Sequence, residues 1–216
     1  MFVHNLSETS SILNTFIAEI RNKNIQKDSL RFRKNIERIG EILSYEMSKS
    51  LSYSSKNIET PLGIKSIKLA NEKIIICSIL RAGLVLHNGL LNYFDKAENA
   101  FISAYRKHID ETNFEIEVEY LASPSFDDKT LILADPMLAT GQSLVATYKA
   151  LLKNGTPKHI HIIAVIGSTE GIAYIQKYFP KNTQLWIATI DNKLNDKGYI
   201  IPGLGDAGDL SYGKKL

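Results

Sequence analysis

The sequence predicts an α/β protein, a parallel sheet flanked by helices, with a protruding β-hairpin and an N-terminal helical arm. Three observations carry that prediction. Apolar runs rich in Ile, Val and Leu recur from about residue 73: "KIIICSIL", "NAFISAYR", "KTLILAD", "HIHIIAVIG" and "TQLWIATI". Among them lie "GLVLHNGLLNYF", "SLVATYKALLKNG" and "EGIAYIQKYF", each the length of a crossover helix. Unbroken apolar strands alternating with helices belong to a parallel sheet covered on both faces. The third observation is an exception. "FEIEVEYL", residues 114–121, alternates strictly, with Phe114, Ile116, Val118 and Tyr120 on one side and acids on the other. That pattern predicts a strand with one wet face, in an antiparallel hairpin that protrudes from the core.

Taken in order, residues 10–21 and 29–51 read as helices. In the second, Phe32, Ile36, Ile39, Leu43 and Met47 recur at three- and four-residue steps and share one face. Asp28 and Ser29 stand where an N-cap is expected. Pro61 and Gly63 of "ETPLG" then punctuate the chain before the strand–helix alternation begins. The closing "LNDKGYIIPGLGDAGDLSYG" is too glycine-rich and irregular for a helix or a long strand. Its Tyr199, Ile200, Ile201 and Leu204 argue for a functional cover rather than a free tail. No repeat or sharp composition shift divides the chain. It reads as one domain: arm 1–72, α/β core 73–190 and terminal loop 191–216.

Composition narrows the function. The 216 residues are 44% hydrophobic and 23% charged, ordinary for a globular protein. A net charge of +3 is too mild for bulk nucleic-acid binding but suits an anionic small molecule held by a few placed cations. "RFRKNIER", residues 31–38, is the densest basic run and reads as a solvated helix face. The single cysteine, Cys77, excludes an internal disulfide and lies in an apolar run, as a structural thiol would. Without a secretory-type leader or an apolar stretch near the roughly 20 residues of a membrane span, the expectation is a soluble, cytoplasmic protein with no membrane partner.

Chemistry concentrates at two strand ends, where sheets of this class bind ligands. In "SILRAGLVL" the chain presents Arg81 and passes through Ala82 and Gly83 into a helix. A guanidinium beside small residues lets backbone amides and a cation approach a phosphate together. In "LILADPMLATGQSL", Asp135 can accept hydrogen bonds from paired sugar hydroxyls. Ala139, Thr140, Gly141, Gln142 and Ser143 can fold amides and hydroxyls round a phosphate at a helix start. A simple N-cap by Thr140 or Ser143 would account for one hydroxyl and leave the aspartate and proline unexplained. Neither a Walker A loop nor a G-x-G-x-x-G fingerprint is present.

"DPMLATG" with its following Ser resembles the ribose-phosphate loop of the type I phosphoribosyltransferases. Together with "ILRAG", "AYR", "FRKNIERIGEILSYE", "ETPLG" and above all "GYIIPGLGDAGD", the resemblance is to the uracil phosphoribosyltransferase branch and covers nearly the whole chain. It implies a type I phosphoribosyltransferase-like fold and transfer of ribose-5-phosphate from phosphoribosyl diphosphate to uracil, giving UMP and diphosphate. On the donor side it implies Arg81, Arg106 and the loop Asp135, Pro136, Met137, Leu138, Ala139, Thr140, Gly141, Gln142 and Ser143. On the base side it implies Ile200, Gly205, Asp206 and Ala207, with Asp206 also facing the donor. Arg81, Arg106, Asp135 and Asp206 are then the catalytic set. Magnesium is implied as a companion of the diphosphate, with no dedicated protein metal site. A homo-oligomer, dimer or larger, is implied as well, and GTP or other effector control is left open. The family usually carries two glycines after the threonine, and here the second is Gln142.

Other residues weigh less. His159 and His161 share a strand face but lack a third metal ligand nearby, so a structural role is expected. Trp186 is expected in the core or an interface. Asp191 lies at a strand end and is either a site residue or a turn former. The alternatives to catalysis on uracil are a regulator on the same fold that binds phosphoribosyl diphosphate or UMP together with RNA, and a transferase for another base. The intact terminal loop and the mild charge favour the uracil enzyme.

Overall fold

The computed structural model describes residues 1–108 and 114–215, and for 104–108 and 114–118 the backbone alone. Strand β1 (Phe2–Asn5) leads into helices α1 (Leu13–Arg21) and α2 (Ser29–Ser48), followed by a hairpin of β2 (Tyr53–Thr60) and β3 (Gly63–Ala70). The core continues with β4 (Ile74–Leu80), α3 (Gly83–Leu91), β5 (Glu98–His108), β6 (Phe114–Ala122) and β7 (Thr130–Ala134). Next come β8 (Met137–Leu138), α4 (Gln142–Leu151), β9 (His159–Ser168), α5 (Thr169–Ile175) and β10 (Gln184–Asp191). The chain closes with β11 (Lys193–Leu194), β12 (Ile200–Ile201) and α6 (Ala207–Tyr212).

The main sheet runs β1-β10-β9-β7-β4-β5-β6, with β8 added beside β9. Every pairing in it is parallel except β5 with β6. The predicted α/β class with a parallel core is therefore what forms. Each strand sends alternate side chains to opposite faces, and the two hydrophobic clusters follow that period. Ile76, Ile132, Ile163 and Trp186 pack with α1, α2 and α3. Ile75, Cys77, Leu131, Leu133 and Ile162 pack with α4 and α5.

Helix α2 illustrates how the pattern becomes structure. Asp28 accepts a hydrogen bond from the Arg31 amide at 3.1 Å, capping the helix where the sequence places the cap. Phe32, Ile36, Ile39, Leu43 and Met47 are all buried, each contributing about 1.5–3 kcal/mol relative to exposure. The helix ends at Ser48, three residues short of the expected boundary.

Two expectations need correction. Residues 1–72 are not simply a helical arm: β1 joins the edge of the main sheet, and β2 and β3 form a hairpin of their own. The "YSSKNIET" strand is nearly all polar and exposed, so it has no hydrophobic pattern by which to be found. The terminal segment is not wholly irregular either, since Asp206 caps the short α6 by accepting from the Asp209 amide at 2.9 Å. The expected hairpin at residues 114–121 does form, as β5 against β6. The alternation of its side chains from 114 to 118 lies outside the described residues.

Candidate active site

The connection after β4 goes to β5 on one side, whereas the connection after β7 goes to β9 on the other. Sheets of this kind open a crevice beyond the carboxyl ends of their strands where the winding reverses. Arg81 follows β4 and Asp135 follows β7, so the two predicted strand-end groups flank that crevice.

A cavity of about 50 Å³ lies within the loop after β7, lined by Asp135, Met137, Leu138, Ala139, Thr140, Gly141, Ser143 and Leu144. Most of the predicted donor loop is thus gathered round one hollow at the start of α4. Two members are not. Pro136 is buried, its carbonyl accepting from the amides of Val165 and Ile166 at 3.1 and 3.0 Å. Gln142 opens α4, and its amide donates to Thr140 Oγ1 at 3.4 Å. The proton expected to be free for a phosphate is therefore already directed at a neighbour.

Asp135 accepts from the Met137 amide at 3.2 Å. Burial pushes its carboxyl up to about 7, and the amide bond offsets that only in part. A carboxylate short of solvent is primed to accept further donors, as two sugar hydroxyls would be.

The loop is held by groups the sequence reading did not single out. Gly141 has φ +76°, and a Cβ there would meet Ile175 Cγ2 at 2.7 Å and the Gly171 carbonyl at 2.8 Å. In return, a Cβ on Gly171 would come within 2.0 Å of the Ala139 carbonyl. Ser168 Oγ donates to that same carbonyl at 2.6 Å and accepts from the Gly171 amide at 2.8 Å. The end of β9 and the start of α5 thus form the floor of the hollow. The signal was present in "GSTEG", where a serine stands three residues before a glycine as an N-cap does.

The terminal segment approaches from the β4 side. Arg81 donates to Asp209 Oδ1 at 2.6 Å and to the Gly213 carbonyl at 3.1 Å. A Cβ on Gly208 would stand 3.2 Å from Asp206 Oδ1 and 3.3 Å from Arg81 Nη2, so the two predicted catalytic groups flank one glycine. Lys215 lies 3.6 Å from Asp206 Oδ2. Ile200 and Ala207 are buried, and Gly205, with φ +94°, borders open space. Arg106 is on β5 opposite Ile116, and its side chain lies outside the described residues.

Asp191 resolves differently from either reading considered for it. It is a buried partner of Arg21, from the last turn of α1. Burial alone would raise its carboxyl, but the Arg21 hydrogen bonds and charge and the Gly203 amide hold it below the usual range. Cys77 and His161 sit in the core. Cys77 is buried, its thiol pushed up to about 12. His161 Nδ1 accepts from Trp186 Nε1 at 3.1 Å, and burial lowers the ring to about 4. Among the described residues no group of three or more His, Cys, Asp or Glu side chains is arranged to hold a metal ion. No helix there is long and apolar enough to cross a membrane.

Comparison with known proteins agrees with this geometry. A family model described as uracil phosphoribosyltransferase matches residues 7–214. A uracil phosphoribosyltransferase of Porphyromonas gingivalis is 52% identical over 216 residues, covering 100% of both chains. One from Thermococcus gammatolerans is 38% identical over 212 residues, covering 97% of this chain and 92% of that one. Among solved structures, a protein of Aquifex aeolicus superposes with a TM-score of 0.88 at 31% identity over 100% of both chains. A hypoxanthine phosphoribosyltransferase of Staphylococcus aureus shares the fold at a TM-score of 0.50 and 15% identity, over 74% of this chain and 75% of that one. A hollow in the loop after β7 and a glycine-rich terminal segment that meets Arg81, on a sheet wound this way, are thus accompanied by full-length similarity: the chain belongs to the uracil phosphoribosyltransferase family.

Proposed function

We propose that the chain transfers the 5-phosphoribosyl group of phosphoribosyl diphosphate to uracil, yielding UMP and diphosphate. The observation that carries this reading is the contact of Arg81, at the end of β4, with Asp209 of the terminal segment, beside the hollow that follows the adjacent strand β7. In this reading the hollow lined by Ala139, Thr140, Gly141 and Ser143 receives the 5-phosphate, with amides and hydroxyls as donors. Asp135 accepts from the ribose hydroxyls and orients the anomeric carbon. Arg81 exchanges Asp209 for the diphosphate and offsets charge as the C1–oxygen bond breaks. Uracil N1 forms the new bond as the C1–oxygen bond breaks, and its proton passes to the departing diphosphate. The Gly205 turn presents backbone groups to the edge of the base at close range. A base with the opposite donor and acceptor pattern would leave those groups unpaired, so cytosine is rejected. Arg106 and Asp206 complete the donor contacts, and the β5–β6 hairpin covers the reacting centre.

Magnesium belongs to the same reading. Asp135 is the acidic group lining the donor hollow, a donor set that fits a cation ligated mainly by diphosphate oxygens and water. When bound, the ion neutralises charge on the departing diphosphate. A homo-oligomer is supported by the hairpin β2–β3, which among the described residues is hydrogen-bonded to no other strand and exposes Ile58, Leu62, Ile64 and Ile67. Two strands alone are marginal in water, so a second copy of the chain is the natural cover. A reducing cytoplasmic location is supported by the lone buried thiol.

The test is direct. The protein is incubated with magnesium, phosphoribosyl diphosphate and either uracil, cytosine or hypoxanthine, and nucleotide is followed by chromatography. UMP from uracil alone is expected. Folded protein that yields no UMP would overturn the reading.

A further inference from the structure

The segment that would recognise the base is held from behind by the N-terminal helix. Arg21, the last residue of α1, makes a two-pronged contact with Asp191 at the end of β10: Nη1 to Oδ2 and Nη2 to Oδ1, both 2.8 Å. Nη1 also donates to the Gly203 carbonyl at 3.0 Å, and Nη2 to Thr189 Oγ1 at 3.4 Å. Asp191 Oδ2 accepts from the Gly203 amide at 2.9 Å. One ion pair therefore grips both backbone polar groups of Gly203. Gln26 adds a third hold, donating to the Leu204 carbonyl at 3.2 Å. Gly203 itself has φ +59°, and a Cβ there would stand 2.1 Å from the Ile200 carbonyl.

From this geometry we propose that Arg21 and Asp191, aided by Gln26, are positioning residues that set the affinity for uracil without touching it. The proposal rests on the reading of segment 200–207 as the base site. Its physical basis is the choice of interaction. A buried ion pair is a poor way to gain stability, because desolvation cancels most of its Coulomb attraction. A bidentate guanidinium–carboxylate pair is, however, among the most geometrically demanding contacts a protein can make. Here it is spent on the backbone directly before Gly205, whose neighbours must match a planar base to within a fraction of an ångström. Ile200 and Leu204 anchor the turn in the core, but Gly203 and Gly205 have no side chains to pack, so their own positions are set through the backbone. A Cβ on Gly205 would meet nothing within 4 Å, so the turn held from α1 keeps open space beside Gly205, where the base would lie.

The prediction separates positioning from a merely structural role. Arg21→Lys keeps the charge but loses the fork, and Asp191→Asn keeps the shape but loses the charge. Each should raise the KM for uracil about tenfold, while the KM for phosphoribosyl diphosphate stays within about twofold. Gln26→Ala, the mildest change, should raise the uracil KM about threefold and covers the case in which the ion-pair variants do not fold. Circular dichroism and size-exclusion chromatography establish folding. Folded variants with an unchanged uracil KM would overturn the proposal, as would equal losses for both substrates that track a fall in melting temperature. Failure of the parent reading is distinguishable: no UMP from the unaltered protein overturns both, whereas UMP with unchanged uracil KM in the variants overturns the positioning role alone.

Discussion

Arg81 and Asp209 are joined by a 2.6 Å contact between Nη2 and Oδ1, linking the end of β4 to the helix that closes the chain. Both side chains are partly exposed, so the pair contributes only about 0–1 kcal/mol of stability. In the proposed reaction the pair parks a cation beside the crevice, where a diphosphate takes it over. Arg81→Gln should lower kcat/KM for the donor about a hundredfold while changing unfolding free energy by less than about 1 kcal/mol. Steady-state kinetics and urea titration check this together. Full activity in the variant would remove Arg81 from the site.

In the proposed mechanism Asp135 gives the activity a pH dependence. Its carboxyl stands near 7 in the folded chain, and only the ionised form accepts from two hydroxyls. The kcat/KM for the donor should rise with pH through about 7, and Asp135→Asn should flatten that limb and lower kcat about a hundredfold.

The same group has a stability signature. A folded-state pKa raised above the usual carboxylate value favours the native state fully at low pH. That contribution is lost as pH rises toward the folded value near 7. The melting temperature of Asp135→Asn relative to the unaltered protein should therefore climb between about pH 4 and 7 and level off above. Calorimetry across that range, in the absence of donor, would refute the assignment if the difference were flat.

Gly171 controls the donor loop from beneath. A methyl group there must displace the Ala139 carbonyl from 2.0 Å. Gly171→Ala should destabilise the fold by about 1–3 kcal/mol and raise the donor KM, with the uracil KM much less affected. An unchanged donor KM would show that the loop does not rely on the α5 floor.

The hairpin β2–β3 offers a test of assembly. Replacing residues 54–69 with a short Gly-Ser linker removes the exposed Ile58, Leu62, Ile64 and Ile67 and leaves the main sheet intact. Sedimentation should show the unaltered chain as an oligomer and the shortened variant as a monomer. An unaltered assembly would place the interface elsewhere.

The parallel core and the face of α2 were legible in the sequence because burial leaves a periodic apolar imprint. "KTLILAD" and "HIHIIAVIG" could belong only to strands covered on both sides, and β7 and β9 are such strands. The donor loop was legible because an aspartate, a proline and a hydroxyl-rich corner at a strand end exceed what a turn requires. What left no imprint was β2, a polar strand with no core to face, and β1, four residues completed by their partner β10.

By itself, then, the sequence determined the class of fold and the family, since both depend on residue types in local order. The tertiary structure decided which groups meet. Arg21 and Asp191 are 170 positions apart, and nothing in their local neighbourhoods announces a pair. Only the packing of α1 on β10 brings them together under Gly203. Likewise, only the contact of α5 with the donor loop explains why Gly141 and Gly171 can be nothing larger. Local pattern reports what a segment buries, whereas long-range contact, set by how the sheet is wound, decides what it is held against.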